Sequence, residues 1–204
     1  MAPLRPPASL ILLDRWEGAM AISQILINRP GLGRTLNLKD IADPLSFFGI
    51  EHDYLGGVLR SLAAVADDLH RVDRRARADA IVDYFRVDFP QHIEDEEAAL
   101  DLLEREPGAT ARAGDLFSDI RGEHVALGRL LPPVVNGLEE ISVLGLPLAP
   151  SRFLIASLVL SEFLCLHVDR VRTELVPLAA STLGSDDLVN LSRDIAFRRG
   201  MGPC

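Results

Sequence analysis

The chain has 204 residues, 48% of them hydrophobic, 25% charged and 5% aromatic, and its 30 acidic and 21 basic side chains give a formal net charge of −9. That is long enough for one domain with a real core, too apolar for intrinsic disorder, and too anionic to favour nucleic acid, whose phosphates it repels. Two cysteines, Cys165 and Cys204, make no disulfide framework and fit a reducing cytoplasm.

Residues 1–8 carry Pro3, Pro6 and Pro7 and read as a loose leader. The apolar run 9–13 is cut off by Asp14, Arg15 and Glu17, too short for a signal-peptide core or for the roughly 18–20 uninterrupted apolar residues of a membrane span. No membrane partner is expected. Residues 9–28 suit one amphipathic helix, ended by the Pro30-Gly31 break. Together these make an N-terminal arm over 1–42, a candidate cover for a bundle face or contact in a homodimer. Gly31-Leu32-Gly33 lacks the strand before it and the later glycine of a dinucleotide loop, so it reads as a turn.

From residue 43 onward apolar stripes of helical period dominate. Asp43-Pro44 predicts the start of the first long helix, a side-chain cap followed by proline at the first helical position. Its seam runs Leu45, Phe48, His52, Leu55, Leu59, Leu62, Ala66, Leu69. The second helix is expected over about 73–106, with seam Ile81, Phe85, Asp88, His92, Glu96, Ala99, Leu103 and a kink at Pro90. A third carries Ala113, Phe117, Ile120, His124, Leu127 and Leu131; Pro132-Pro133 should stop or bend it, with Val134–Leu144 a candidate continuation before a turn at Gly145-Leu146-Pro147. The fourth starts near Ser151, with seam Phe153, Ala156, Leu160, Phe163, His167, Val171, Glu174, Leu178. A short last helix should run from Ser185 to Arg199-Gly200, acidic at its start and basic at its end. The expected fold is all-α: an antiparallel up-down four-helix bundle over 43–204 with the arm and a short C-terminal helix.

Four of the five histidines, His52, His92, His124 and His167, lie on the seams of four different helices. In an up-down bundle, residues at one height are equidistant from the turn between them. The midpoints of successive histidines are residue 72, residue 108 and the 145–146 step, and all three fall on predicted turns. The four rings should therefore share one layer facing the axis. An imidazole buried without a partner costs about 1–3 kcal/mol, and four protonated rings repel. A metal resolves both problems, because neutral imidazole is a common ligand for transition metals. Glu96, one helical turn after His92 on the same face, can bind the same metal or bridge two.

These residues resemble the hemerythrin-like HHE cation-binding family: Glu51-His52-Asp53, His92-Ile93-Glu94-Asp95-Glu96-Glu97, Glu123-His124, and His167 ten residues before Pro177, over about 43–180. The ending Arg198-Arg199-Gly200 is similar to the tail of some bacterial members. The resemblance implies a four-helix bundle around a non-haem di-iron centre bound by histidines and bridging carboxylates, with His52, His92, Glu96, His124 and His167 as the matching ligands. It also implies a function in binding dioxygen or a related small oxidant, or in sensing or handling oxygen, iron or redox state. One departure stands out. Where the family has a second bridging carboxylate, four residues after the last histidine, this chain has Val171. The next seam carboxylate, Glu174, lies roughly 10 Å along the axis from His167 rather than about 6 Å. It completes the ligand set only with a helix distortion or a displaced second metal. The centre can then be asymmetric, mononuclear or vestigial, and weaker binding of the second ion is expected.

Two other functional classes stay open on this basis: an iron-dependent enzyme consuming peroxide, nitric oxide or oxygen, and a vestigial bundle used as an interaction module. Other polar residues read more plainly. His70 beside Arg71 suits a helix end; Glu123 suits a solvated face or a supporting place beside the ligand His124; the run Glu94–Glu97, apart from Glu96, suits a solvated face; Asp88 is a candidate acceptor for a ring proton or a polar break near the Pro90 kink. Tyr54 and Tyr84 read as core or boundary packing, Cys165 as a small hydrophobe facing away from His167, and Arg71, Arg74, Arg75 and Arg77 as a solvated turn.

Overall fold

In the computed structural model, which describes residues 38–201, Asp43 opens the first long helix. Its Oδ1 accepts from the backbone N–H groups of Leu45 and Ser46, each at 3.2 Å, and its Oδ2 from the Ser46 hydroxyl at 2.6 Å. These bonds hold the Asp43 carboxyl below its ordinary range, and Pro44 supplies a preset φ behind them. The expected arm helix over 9–28, the turn at Gly31-Leu32-Gly33 and Cys204 lie outside the described residues.

Among the described residues all regular structure is helical. The helices are α1 (Leu38–Ile41), α2 (Pro44–Asp67), α3 (Arg74–Asp83), α4 (Phe89–Arg105), α5 (Pro107–Leu144), α6 (Pro150–Arg170), α7 (Val176–Thr182) and α8 (Ser185–Arg198). Two π-helical turns interrupt the pattern: Tyr84–Asp88 joins α3 to α4, and Val171–Leu175 joins α6 to α7. The second and fourth predicted helices are therefore each split by a π turn. The first lies just before Pro90, where the sequence predicts a kink. The Pro132-Pro133 pair does not stop α5, which runs on to Leu144; its departure from helical geometry is at Ala113 (φ −144°, ψ 24°).

The described residues gather into two compact units. One draws on 53–84 and 130–163. Its interior holds Leu55, Val58, Leu62, Ile81, Leu138 and Leu160, all fully buried, each worth roughly 1.5–3 kcal/mol relative to exposure. Tyr54 and Tyr84 pack there edge to face, with ring centroids 5.4 Å apart. A Cβ on Gly137 would stand 2.4 Å from Phe153 Cδ2, so the glycine is what lets that ring approach the α5 backbone. Gly145 turns the chain at φ +89°, a conformation glycine adopts without a Cβ penalty, and its carbonyl accepts from Arg74 Nε at 2.7 Å.

The other unit draws on 38–52, 85–129 and 164–201. Its core has two apolar clusters. Leu100, Leu103, Phe117, Ile120, Val171 and Leu175 form one; Ile41, Phe47, Phe48, Ala99, Leu191 and Ile195 form the other. The stretch Pro150–Thr182 is long and apolar enough to cross a membrane by length and composition alone. The same stretch brings His167, Val171 and Leu175 into this interior.

Candidate metal centre

Each element of this second unit delivers its polar residue by helical spacing. On α4, Phe89, His92, Glu96, Ala99 and Leu103 recur at steps of three and four on the buried face, and both His92 and Glu96 are fully buried. His52 arrives from α2, His124 from α5 and His167 from α6, with side-chain exposures of 0%, 6% and 0%.

All four rings turn their Nε2 atoms toward one carboxylate. His52 Nε2 and His92 Nε2 stand 3.0 and 3.2 Å from Glu96 Oε1; His124 Nε2 and His167 Nε2 each stand 3.0 Å from Oε2. The rings pair edge to face on each side, with centroids 5.0 Å apart for His52–His92 and 5.1 Å for His124–His167. Two sets of three donors result, His52–His92–Glu96 and Glu96–His124–His167, each with its donor atoms within 4.8 Å of one another.

The outward ring nitrogens decide whether a cation fits. His124 Nδ1 lies 2.5 Å from Glu97 Oε1, and His167 Nδ1 lies 2.9 Å from Glu123 Oε2. A carboxylate only accepts, so each Nδ1 carries the proton. Each Nε2 then either carries a second proton or presents its lone pair toward Glu96. Two adjacent buried imidazoliums repel, whereas a cation between nitrogen and carboxylate satisfies both. The donor set fits a metal.

Charge follows the same geometry. Burial opposes charging of His167, but Glu96 and Glu123 outweigh it and raise the ring to about 9. His52 is driven by burial the other way, to about 4, against the pull of Glu96. Burial would raise the Glu96 carboxyl, yet the surrounding rings, His92 and His167 foremost, hold it well below its ordinary range.

Of the expected metal residues, the structure gathers His52, His92, Glu96, His124 and His167, and leaves out Glu174. Glu174 is exposed within the π turn Val171–Leu175, and the buried positions there step by four, Val171 to Leu175 to Ala179. The wider π turn carries Glu174 past the inward face. Asp88 is likewise exposed, at the end of the other π turn, and the buried position beside it is Phe89, whose ring centroid is 6.0 Å from that of His92. His70 is exposed and takes no part.

Three residues that suit solvated faces in the sequence have other roles in the fold. Glu97 and Glu123 orient the rings, and they are themselves held, Glu97 by Arg121 Nε at 3.0 Å and Glu123 by Arg170 Nε at 2.9 Å. Asp95 is fully buried and paired with Arg198 Nε at 2.7 Å and Arg199 Nη2 at 2.5 Å; Glu51, also buried, lies 3.8 Å from the same Nη2. A signal for the first pair exists in the sequence. Each adjoins a ligand, Glu97 after Glu96 and Glu123 before His124, so each shares the level of the ring layer and meets the histidine of the next helix.

The chain belongs to the hemerythrin HHE cation-binding domain family, whose model matches residues 43–179. Searches of the curated proteins and of the solved structures give no match. The matched span contains all five gathered residues, and the family's property of binding metal cations agrees with the fit of the donor set.

Proposed function

We propose that this protein binds non-haem iron, as one or two ions, within an antiparallel four-helix bundle of the cytoplasm, and through it binds dioxygen or a related small oxidant. The observation that carries the reading is the placement of four imidazole Nε2 atoms on the two oxygens of Glu96. Each half is a two-histidine, one-carboxylate set, the donor combination associated with non-haem iron(II) that keeps coordination positions open. His52, His92 and Glu96 would hold one ion, and Glu96, His124 and His167 the other. Iron held there supplies electron-transfer and dioxygen chemistry. The protein's own contribution is to fix the rings through Glu97 and Glu123 and to keep the interior apolar with Phe89 and Val171.

The test is metal content after production with iron. One to two equivalents are expected, with visible absorption that changes reversibly between air and argon, and both should fall in His124→Ala. Less than about half an equivalent overturns the reading. The open positions also favour a second reading, consumption of the oxidant. Catalytic turnover of hydrogen peroxide by the iron-loaded protein, lost in His124→Ala, would establish it; reversible spectral change without turnover would leave the binding role.

A further inference from the structure

The two halves of the centre share Glu96 but differ behind their rings. On one side, His124 Nδ1 and His167 Nδ1 each meet a carboxylate, Glu97 at 2.5 Å and Glu123 at 2.9 Å. On the other, His52 Nδ1 and His92 Nδ1 are buried and meet no partner among the described residues. We infer that the centre loads in a fixed order, the His124–His167–Glu96 half first and tightly, the His52–His92–Glu96 half second and exchangeably. The inference rests on the metal-binding reading above and adds which half is occupied first.

Three effects point the same way. A carboxylate on Nδ1–H fixes the tautomer and ring orientation and makes Nε2 a stronger donor, and removal of such a partner typically lowers metal affinity 10–100-fold. The His124–His167 side has two; the other side has none. Next, a neutral ring that ligates through Nε2 keeps its proton on Nδ1, and on His52 and His92 that proton is buried without an acceptor, so binding there leaves a polar group unsatisfied. Finally, Glu97 and Glu123 add negative charge beside the first half, partly offset by Arg121 and Arg170. The second ion enters beside the first with Glu96 already shared, and Val171, fully buried, brings no further carboxylate.

The experiment is anaerobic titration of the metal-free full-length protein with ferrous iron, read by competition with a chromophoric chelator. Two steps are expected, with affinities at least 10-fold apart. His52→Ala should remove the weak step and leave one tight equivalent. Glu97→Ala with Glu123→Ala should weaken the tight step 10-fold or more, and the corresponding pair of Gln substitutions should recover part of the loss, since the amide oxygen still accepts from Nδ1–H. Both glutamates are partly solvent-facing, with side-chain exposures of 34% and 16%, and helicity checked in parallel identifies a variant that fails to fold. Two equal steps in the unaltered protein, or loss of the tight step in His52→Ala, overturns the order while leaving metal binding intact. No binding at all in the unaltered protein defeats the underlying reading instead.

Discussion

Arg199 places its Nη2 atom 2.5 Å from a carboxylate oxygen of Asp95, and both side chains are withdrawn from solvent, at 6% and 0% exposure. The guanidinium also stacks over Phe47, 4.8 Å from the ring centroid. Asp95 directly precedes Glu96, so the end of α8 is tied to the residue beside the central carboxylate. Breaking such a pair from one side leaves a buried charge, which costs about 3–5 kcal/mol. Arg198 Nε holds the other oxygen of Asp95 at 2.7 Å, so the double variant Arg198→Ala with Arg199→Ala is expected to lose that much in urea unfolding, and adding Asp95→Asn should recover part of it. A loss under about 1 kcal/mol would mean that Asp95 finds another partner.

A tightly held ion stabilises the folded state in proportion to its affinity. At a free concentration one hundred times the dissociation constant, the gain is about 2.7 kcal/mol. For a chain of this length that is roughly 5–10 °C in Tm. Iron-loaded protein should melt that much higher than chelator-treated protein. Equal midpoints would favour the interaction-module reading.

Gly137 is fixed by packing rather than by backbone conformation. Gly137→Ala sets a methyl group against the Phe153 ring, whose Cδ2 stands 2.4 Å from the new atom. Overpacking of this kind costs about 1–3 kcal/mol. Phe153→Leu in the same background should relieve part of it, and thermal melts of the single and double variants measure both.

The metal-free protein should be most stable near pH 6.5. His52, held down to about 4, is neutral in the fold where the unfolded chain takes up a proton, so stability is lost as pH falls from 6.5 toward 4. His167, raised to about 9, contributes fully below 6.5 and loses that contribution as pH rises toward 9. The two slopes oppose, and the maximum lies between them. Midpoints measured in chelator from about pH 4 to 9.5 check this, and a midpoint that climbs steadily from 7 to 9 contradicts it.

Much of this was legible in the residues because the signals are local or periodic. Asp43-Pro44 carries its cap in two letters. The four histidines announced their shared level through spacing alone, since a rigid rise per residue turns sequence distance into height. Of the three acidic residues expected on the inward face, Glu96 is buried, whereas Asp88 and Glu174 both came out exposed, and both sit in π turns. A π turn inserts a residue without changing composition, and what favours it is packing against neighbours, so no period in the sequence reveals it. Asp95 was hidden for a related reason, while Glu97 and Glu123 carry only their adjacency to a ligand as a signal. On one helix they look solvated, and only the adjoining helix shows what they face. The pairing of Arg198 and Arg199 with Asp95 likewise depends on where α8 lies, whereas their letters suggest only a favourable helix end. Pro132-Pro133 is the opposite case, a strong local breaker that α5 overrides.

Because every inward ring nitrogen leans on the same side chain, redundancy in this centre is unevenly distributed. Deleting any one histidine spoils one half and spares the other. Substitution of Glu96 spares neither, and even Glu96→Gln would set an amide nitrogen, with no lone pair to offer, against two of the rings. The tolerance of the whole cluster to mutation thus reduces to the identity of a single position on α4.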